Sequence, residues 1–238
     1  MNPRWLYTLP AVALLVFMHT TLHREPPPLS IVTRAQAMAT AERYVQHSWT
    51  GSATNVFHGM DDKGIRVDTP DAGFLPKNAR AGWWRSDTPN VGMPYMWGGF
   101  DTPESFDAGL RAGKWAGDIS SAEKRRLLDD GVSAHAVGID CSGFVSRCWR
   151  LPRSYSTREL TALCDEVKDL TAIRPGDIFN TYNAHVRLFA GWADEARTQM
   201  WMYEAGSDQS WSVGRTQHDL AEMLGKGYTA WRYRGMRE

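Results

Sequence analysis

The most informative segment of this chain is Asp140-Cys141-Ser142-Gly143-Phe144-Val145. Its pattern predicts a helix that begins at about Cys141 and ends near residue 149. Backbone N–H groups in the first turn of a helix lack acceptors within it, and with the helix dipole they favour a thiolate over a thiol. The same groups can donate to the oxyanion that forms when a carbonyl is attacked. Cys141 is therefore a candidate nucleophile, although a lone cysteine here is more often a small buried core residue.

A second stretch downstream has the alternating pattern of a strand, Ala184-His185-Val186-Arg187-Leu188-Phe189-Ala190. The alternation places His185, Arg187 and Phe189 on one face and the aliphatic residues on the other. A cysteine nucleophile needs an imidazole within reach, and a helix and a sheet can hold the two groups rigidly. His185 is therefore the candidate base; alone, a strand histidine of this kind is usually a satisfied core or surface residue.

The other elements predict a mixed fold. A second helix is expected at about residues 157–165, and strands at 177–180, 184–190, 200–205 and 228–232. One helix followed by a small antiparallel sheet indicates the α+β class. Upstream, Thr33 is expected to cap a helix that ends near residue 47, residues 50–90 to be largely irregular, and a short helix to begin near residue 120.

Composition excludes several classes of function. With 238 residues the chain can bury one core, and its net charge of zero without a long basic run argues against nucleic-acid binding. The cysteines and histidines lack the spacing of metal ligands, so we expect no metal and no cofactor. We also expect a monomer.

The N-terminus has the features of a targeting segment. Arg4 precedes a mostly apolar stretch over residues 5–18, which is short for a membrane-spanning helix, and three prolines follow at 26–28. Residues 1–29 are therefore predicted to be a signal peptide or a short membrane anchor with a proline-rich linker. Cleavage and retention both stay open, and either predicts export to the periplasm or the extracellular space.

Four motifs in order resemble the NlpC/p60-type cell-wall cysteine peptidases: Pro94-Tyr95-Met96-Trp97-Gly98-Gly99, the Cys141 segment, Pro175-Gly176-Asp177-Ile178 and His185-Val186. The resemblance covers residues 94 to about 206. It implies a papain-like core and hydrolysis of amide bonds in peptidoglycan stem peptides, typically at a D-glutamyl linkage to a diamino acid. It also implies a catalytic domain over residues 94–238, with an N-terminal extension over 30–93 packed on it.

The resemblance also assigns site residues and shows departures. Tyr95 matches a family tyrosine beside the nucleophile that binds substrate or oxyanion, although it could equally be a buried aromatic residue. Asp140 and Ser142 are expected to contact substrate, and Glu204 stands where the family has its third catalytic polar residue. An insertion at about residues 100–137 is expected to roof or narrow the cleft, and so to affect which class of substrate can enter it.

A hairpin register can be predicted for the two central strands. Pairing residue 190 with 199 places Glu204 opposite His185. Glu204 would then accept the Nδ1–H of His185, leave Nε2 for the thiol, and tolerate replacement by glutamine, because Cys-His-Asn sites exist. Arg187, on the same face, is expected to select an anionic substrate group; the alternatives are a solvated arginine or a partner for Glu204. A surface position for Glu204 also stays open.

The remaining cysteines suggest a disulfide. Three cysteines in an exported protein are consistent with one bridge and one free thiol, which predicts a Cys148–Cys164 bond; two buried free thiols are the alternative. His135 is a weaker rival to His185 because it lies in a predicted loop. Two further functions stay open besides a peptidase: an amidase or acyltransferase on the same scaffold, and a non-catalytic wall-binding module.

Overall fold

The computed structural model describes residues 29–238 apart from positions 78, 79, 207 and 209. The predicted targeting segment thus lies outside the described residues except for its last position. Within the described part of the chain, no helix is long and apolar enough to cross a membrane.

Each α-helix of the described chain begins at a capped residue. Thr33, Thr102, Ser121, Asp140 and Asp219 each accept a hydrogen bond from the backbone N–H three positions later, which satisfies one of the free donors of the first turn. The helices are α1 (Arg34–Val45), α2 (Pro103–Arg111), α3 (Ala122–Leu127), α4 (Cys141–Cys148) and α5 (Leu220–Gly225). The predicted cap at Thr33 and the predicted helix at Cys141 are confirmed.

Short strands pair outside the main sheet: β1 (Val32–Thr33) with β14 (Met236–Arg237), β2 (Ser48–Thr50) with β5 (Pro89–Val91), β3 (His58–Met60) with β4 (Arg66–Asp68), and β6 (Trp115–Ala116) with β7 (Ala136–Val137). The main antiparallel sheet has six strands in the order β12-β11-β10-β9-β13-β8. They are β8 (Cys164–Glu166), β9 (Ile178–Thr181), β10 (His185–Trp192), β11 (Gln199–Gly206), β12 (Ser212–Asp219) and β13 (Thr229–Tyr233).

Both faces of this sheet are covered. Helix α4 packs against β10 and β11, and α1 packs on α4. Val186 and Leu188 belong to the larger core with α4, whereas Phe189 belongs to a second core with Met202 and Met223. The alternation predicted for β10 is therefore confirmed, and so is the α+β class.

One sequence prediction of local structure was wrong, and three elements were missed. The helix expected at 157–165 is a 3₁₀ turn, Leu160–Leu163, followed by strand β8. Strand pairing of Cys164 with Tyr233 overrides the helical pattern there. Helices α2 and α5 and the edge strand β12 were not predicted. Strand β12 has a polar sequence because much of it is only partly buried.

The predicted hairpin register is wrong by two residues. Leu188 lies opposite Tyr203 and Phe189 opposite Met202, so the same ladder places Arg187 opposite Glu204. A bulge between Phe189 and Gly191 changes the pairing near the hairpin loop. Because side chains alternate with a period of two, a two-residue error leaves Glu204 on the predicted face.

The N-terminal residues and the insertion both pack on this framework. Arg34 of α1 donates to the Pro175 carbonyl at 2.7 Å and to the buried carboxylate of Asp177 at 3.0 Å. Residues 100–137 form α2, β6, α3 and β7, and a buried ion pair between Lys124 and Asp118 ties α3 to the preceding strand segment. The insertion is thus a folded part of the chain.

Candidate active site

Two glycines allow helix α4 to begin against the Trp97-Gly98-Gly99 segment. A Cβ on Gly143 would lie 2.2 Å from the carbonyl oxygen of Gly99, and a Cβ on Gly99 would lie 2.5 Å from that of Gly138. Real side chains do not fit at such distances. Residues of the Cys141 motif and of the Pro94 motif therefore pack directly against each other.

Asp140 organises the first turn of α4. Its Oδ1 accepts hydrogen bonds from the Gly143 amide and, at 2.9 Å, from the Ser142 hydroxyl. Burial raises the pKa of Asp140, and these hydrogen bonds oppose the increase. Both residues therefore shape the helix start, and their predicted contact with substrate stays a prediction.

Tyr95 lies beside Cys141 in the same cleft. Its backbone N–H donates to the Trp211 carbonyl at 2.7 Å, and the two rings are 5.5 Å apart. Burial raises the pKa of Tyr95, and the charges of Cys141 and Asp140 raise it further. The phenol is neutral at ordinary pH, so it is a hydrogen-bond donor.

His185 connects Cys141 to a buried carboxylate. Its Nε2 lies 2.8 Å from Oε2 of Glu204, so Nδ1 is the nitrogen left for Cys141, which reverses the predicted assignment. Burial lowers the pKa of His185, but hydrogen bonds and charge interactions with Cys141 and Glu204 outweigh it and raise the pKa to about 9. An imidazolium is thus the favoured form at neutral pH.

Glu204 accepts hydrogen bonds on both oxygens and is fully buried. Oε2 faces His185 and the Nε–H of Arg187 at 2.7 Å, while Oε1 faces the Thr216 hydroxyl at 2.7 Å and Nε2 of His218 at 2.9 Å. Burial raises the pKa of Glu204, but these partners hold it well below the usual value. The surface position considered for Glu204 is therefore wrong.

Arg187 is held by the protein. Besides Glu204, it donates to Asp208 at 2.6 Å and lies over the Tyr228 ring at 4.9 Å, with 6% of its surface exposed. These contacts match the alternative in which Arg187 is a partner for Glu204. Its guanidinium group has no pair of free N–H donors that could bind a carboxylate, so its predicted role in selecting anionic substrates is not supported.

Thr216 and His218 were not among the predicted site residues. Both lie on β12 two residues apart, so the period of a strand places them on one face. The residue that both contact, Glu204 on β11, cannot be identified from the local sequence pattern. Glu204, Asp208 and His218 bring possible metal ligands within 4.8 Å of one another. The Arg187 guanidinium already binds both carboxylates, and its positive charge opposes a cation there.

The site opens into a cleft of about 290 Å³. The sheet and α4 contribute Cys141, His185 and Arg187, and the loop after α4 contributes residues 156–158. The insertion contributes Ser120, Arg125, Leu128, Asp129 and Val132, so it forms a wall of the cleft. His135 lies elsewhere, with its Nε2 2.8 Å from Asp62 and nearly half of its side chain exposed.

Cys148 and Cys164 are buried free thiols, so the predicted bridge is not formed in this structure. The Sγ of Cys164 donates to the Leu160 carbonyl at 3.2 Å. Burial raises the pKa of both thiols, which makes them poor nucleophiles at neutral pH. The predicted bridge can be tested in exported protein by alkylating denatured, unreduced material and counting the thiols that react.

Comparison with known proteins identified no relative. No protein-family model matches the chain, and no curated protein or solved structure is significantly similar to it.

Proposed function

We propose that this protein is an exported cysteine hydrolase that cleaves amide bonds in peptidoglycan stem peptides through Cys141, His185 and Glu204. One observation carries the proposal. Cys141 begins a helix in an open cleft and interacts with an imidazole whose other nitrogen is 2.8 Å from a buried carboxylate. Acyl transfer through a thiol requires a nucleophile, a base beside it and a group that orients the base, in this order.

In the first half of the reaction the Cys141 thiolate attacks the amide carbonyl and forms a C–S bond. The N–H of Cys141 is at the first helical position and has no acceptor within the helix, so with the neutral Tyr95 hydroxyl it can stabilise the oxyanion. The His185 imidazolium then gives its proton to the departing amine as the C–N bond breaks. An acyl-enzyme remains on Cys141.

In the second half, neutral His185 takes a proton from water and the hydroxide attacks the acyl carbonyl. The C–S bond breaks, which restores the thiolate and the imidazolium and releases the carboxylic acid. Glu204 holds the ring through Nε2 in both halves, so Nδ1 stays directed to the reacting atoms.

The substrate class and a papain-like scaffold rest on motifs rather than on a relative. The four NlpC/p60-type motifs occur in the family's order, and the segments that contain Tyr95, Cys141 and His185 meet at one cleft. Export to the wall compartment rests on the composition of residues 1–29.

The test is incubation of the purified protein with muropeptides, with products identified by mass spectrometry. We expect shortened stem peptides, loss of most activity in Cys141→Ser and His185→Ala, and unchanged activity in His135→Ala, which removes a histidine outside the cleft. Acyl transfer to an added amine instead of water would indicate an acyltransferase. No turnover in the wild type, or full turnover in Cys141→Ser, would contradict the proposal.

A further inference from the structure

Two arginines reach the cleft, and neither has a partner for its charge among the described residues. Arg125 lies on α3 and Arg158 in the loop after α4, both are exposed, and both line the cleft that contains Cys141. Within the described chain neither forms an ion pair, and the contact of Arg125 is a long hydrogen bond of 3.5 Å to Ser120. Their guanidinium groups are available to a ligand.

The carboxylates that line the cleft are mostly engaged. Asp208 binds Arg187, and Asp140 accepts hydrogen bonds from the first turn of α4. Asp129 remains, four residues after Arg125, and no ion pair joins the two in the described structure. Among the described residues, two unpaired guanidinium groups and one unpaired carboxylate therefore line this part of the cleft, which leaves it positive.

Arg125 and Cys141 both lie close enough to Tyr95 to act on its phenol. Burial is the largest influence on the pKa of Tyr95 and raises it, whereas the positive charge of Arg125 opposes that increase. Cys141 interacts with the same phenol. The guanidinium of Arg125 and the thiol of Cys141 thus share Tyr95 as a neighbour.

The wall that presents Arg125 is fixed. The preceding residue, Lys124, is 3% exposed, pairs with fully buried Asp118 and approaches the Gly131 carbonyl at 3.5 Å. The cap at Ser121 holds the start of the same helix. A rigid backbone beneath a long side chain lowers the entropic cost of binding a ligand through that side chain.

We propose that Arg125 and Arg158 form an anion subsite beside Cys141, so that the substrate has a carboxylate close to the amide that is cleaved. A planar guanidinium can bind a carboxylate through two parallel hydrogen bonds. The identity of the substrate as an amide rests on the proposed function, whereas the anion preference of the cleft does not. This subsite takes the role that the sequence suggested for Arg187.

The test compares two alkylating reagents of similar size, anionic iodoacetate and neutral iodoacetamide. Each forms a bond between Cys141 Sγ and carbon and releases iodide. Rate constants for Cys141, read by peptide mass spectrometry, are measured in wild type, Arg125→Gln, Arg158→Gln and Arg126→Gln. Arg126 is an exposed neighbour on α3 that does not line the cleft, which makes its variant the matched control.

We expect the iodoacetate-to-iodoacetamide ratio to fall about three- to tenfold in Arg125→Gln and Arg158→Gln, and to stay unchanged in Arg126→Gln. Adding salt should lower the wild-type ratio towards that of the two cleft variants. An equal ratio in all four proteins would overturn the proposal.

Alkylation requires no turnover, so this result is separate from the hydrolysis test. If no muropeptide is cleaved but the ratio shifts as expected, the proposed function fails and the anion subsite stands. If peptides are cleaved, kcat/KM is measured for a substrate with a carboxylate and for the matching carboxamide. The ratio of the first kcat/KM to the second should fall in Arg125→Gln but not in Arg126→Gln. No difference between these variants would overturn the proposal.

Discussion

Glu204 is the residue on which the geometry of the site depends most. Its two oxygens accept from four donors, two on each side. A carboxylate can accept all four hydrogen bonds, but an amide replaces one acceptor oxygen with an NH₂ donor. We therefore expect the opposite of the tolerance for glutamine that the sequence suggested, because two donors would face the NH₂ group whichever way the amide is turned.

We predict that Glu204→Gln lowers kcat/KM by at least tenfold and the free energy of unfolding by roughly 2–3 kcal/mol. Buried Arg187 would lose its main counter-charge, and either His185 or His218 would lose its acceptor. Glu222→Gln is the control because Glu222 is an exposed glutamate on α5. Urea unfolding and peptide hydrolysis measure the two effects; equal behaviour of the two variants would contradict the role of Glu204.

His218 is a positioning residue in this account, since it reaches Glu204 and not the cleft. We predict that His218→Gln, which can still donate to Oε1, keeps most of the activity. His218→Leu should lower kcat about three- to tenfold with little change in KM, because an unsatisfied carboxylate oxygen orients His185 less well. Kinetic constants across pH 5–10 measure this. A loss confined to stability, with kcat unchanged in the leucine variant, would make His218 purely structural.

At the scale of elements, α3 depends on a charge pair in the protein interior. Burial raises the pKa of Asp118 to about 7, although Lys124 opposes the increase. Removing one partner of such a pair leaves the other charge buried and alone, whereas removing both is often neutral. Helix α3 forms the wall with Arg125, so the pair also supports the cleft.

We predict that Asp118→Asn and Lys124→Met each lower the free energy of unfolding by about 3 kcal/mol. The double variant should lose less than the sum of the two by at least about 2 kcal/mol. Urea unfolding of the four proteins gives this coupling energy. Additive losses would mean that the two side chains are independent.

Elements with local signals could be predicted from the sequence, and elements defined by distant pairing could not. Helix α4 has a capping aspartate and β10 has a clear period of two, so both were found near their true limits. Strand β8 was taken for helix because its partner, β13, is far along the chain. The register of β10 and β11 was missed because the bulge near Gly191 has no sequence signal we recognised.

The whole molecule brings the candidate site together from segments that are far apart in sequence. The proximity of Cys141 and His185 could be predicted because the start of a helix and the face of a strand are local properties. Arg125, Arg158 and His218 were missed because their relation to the site depends on how the insertion, the loop after α4 and β12 fold onto the sheet. The nitrogen of His185 that faces Glu204 likewise follows from the three-dimensional register.

The central claim is that the His185 imidazolium activates Cys141, and the pH dependence of Cys141 alkylation by iodoacetamide tests it most directly. The raised pKa of His185, about 9, means that the imidazolium persists below that pH and is lost as the pH rises through it. We predict that at pH 6 Cys141 is alkylated at least about tenfold faster in the wild type than in His185→Ala, and that this ratio falls towards one as the pH rises through about 9, because the imidazolium is then lost. A wild-type profile that matches the His185→Ala profile would contradict the account.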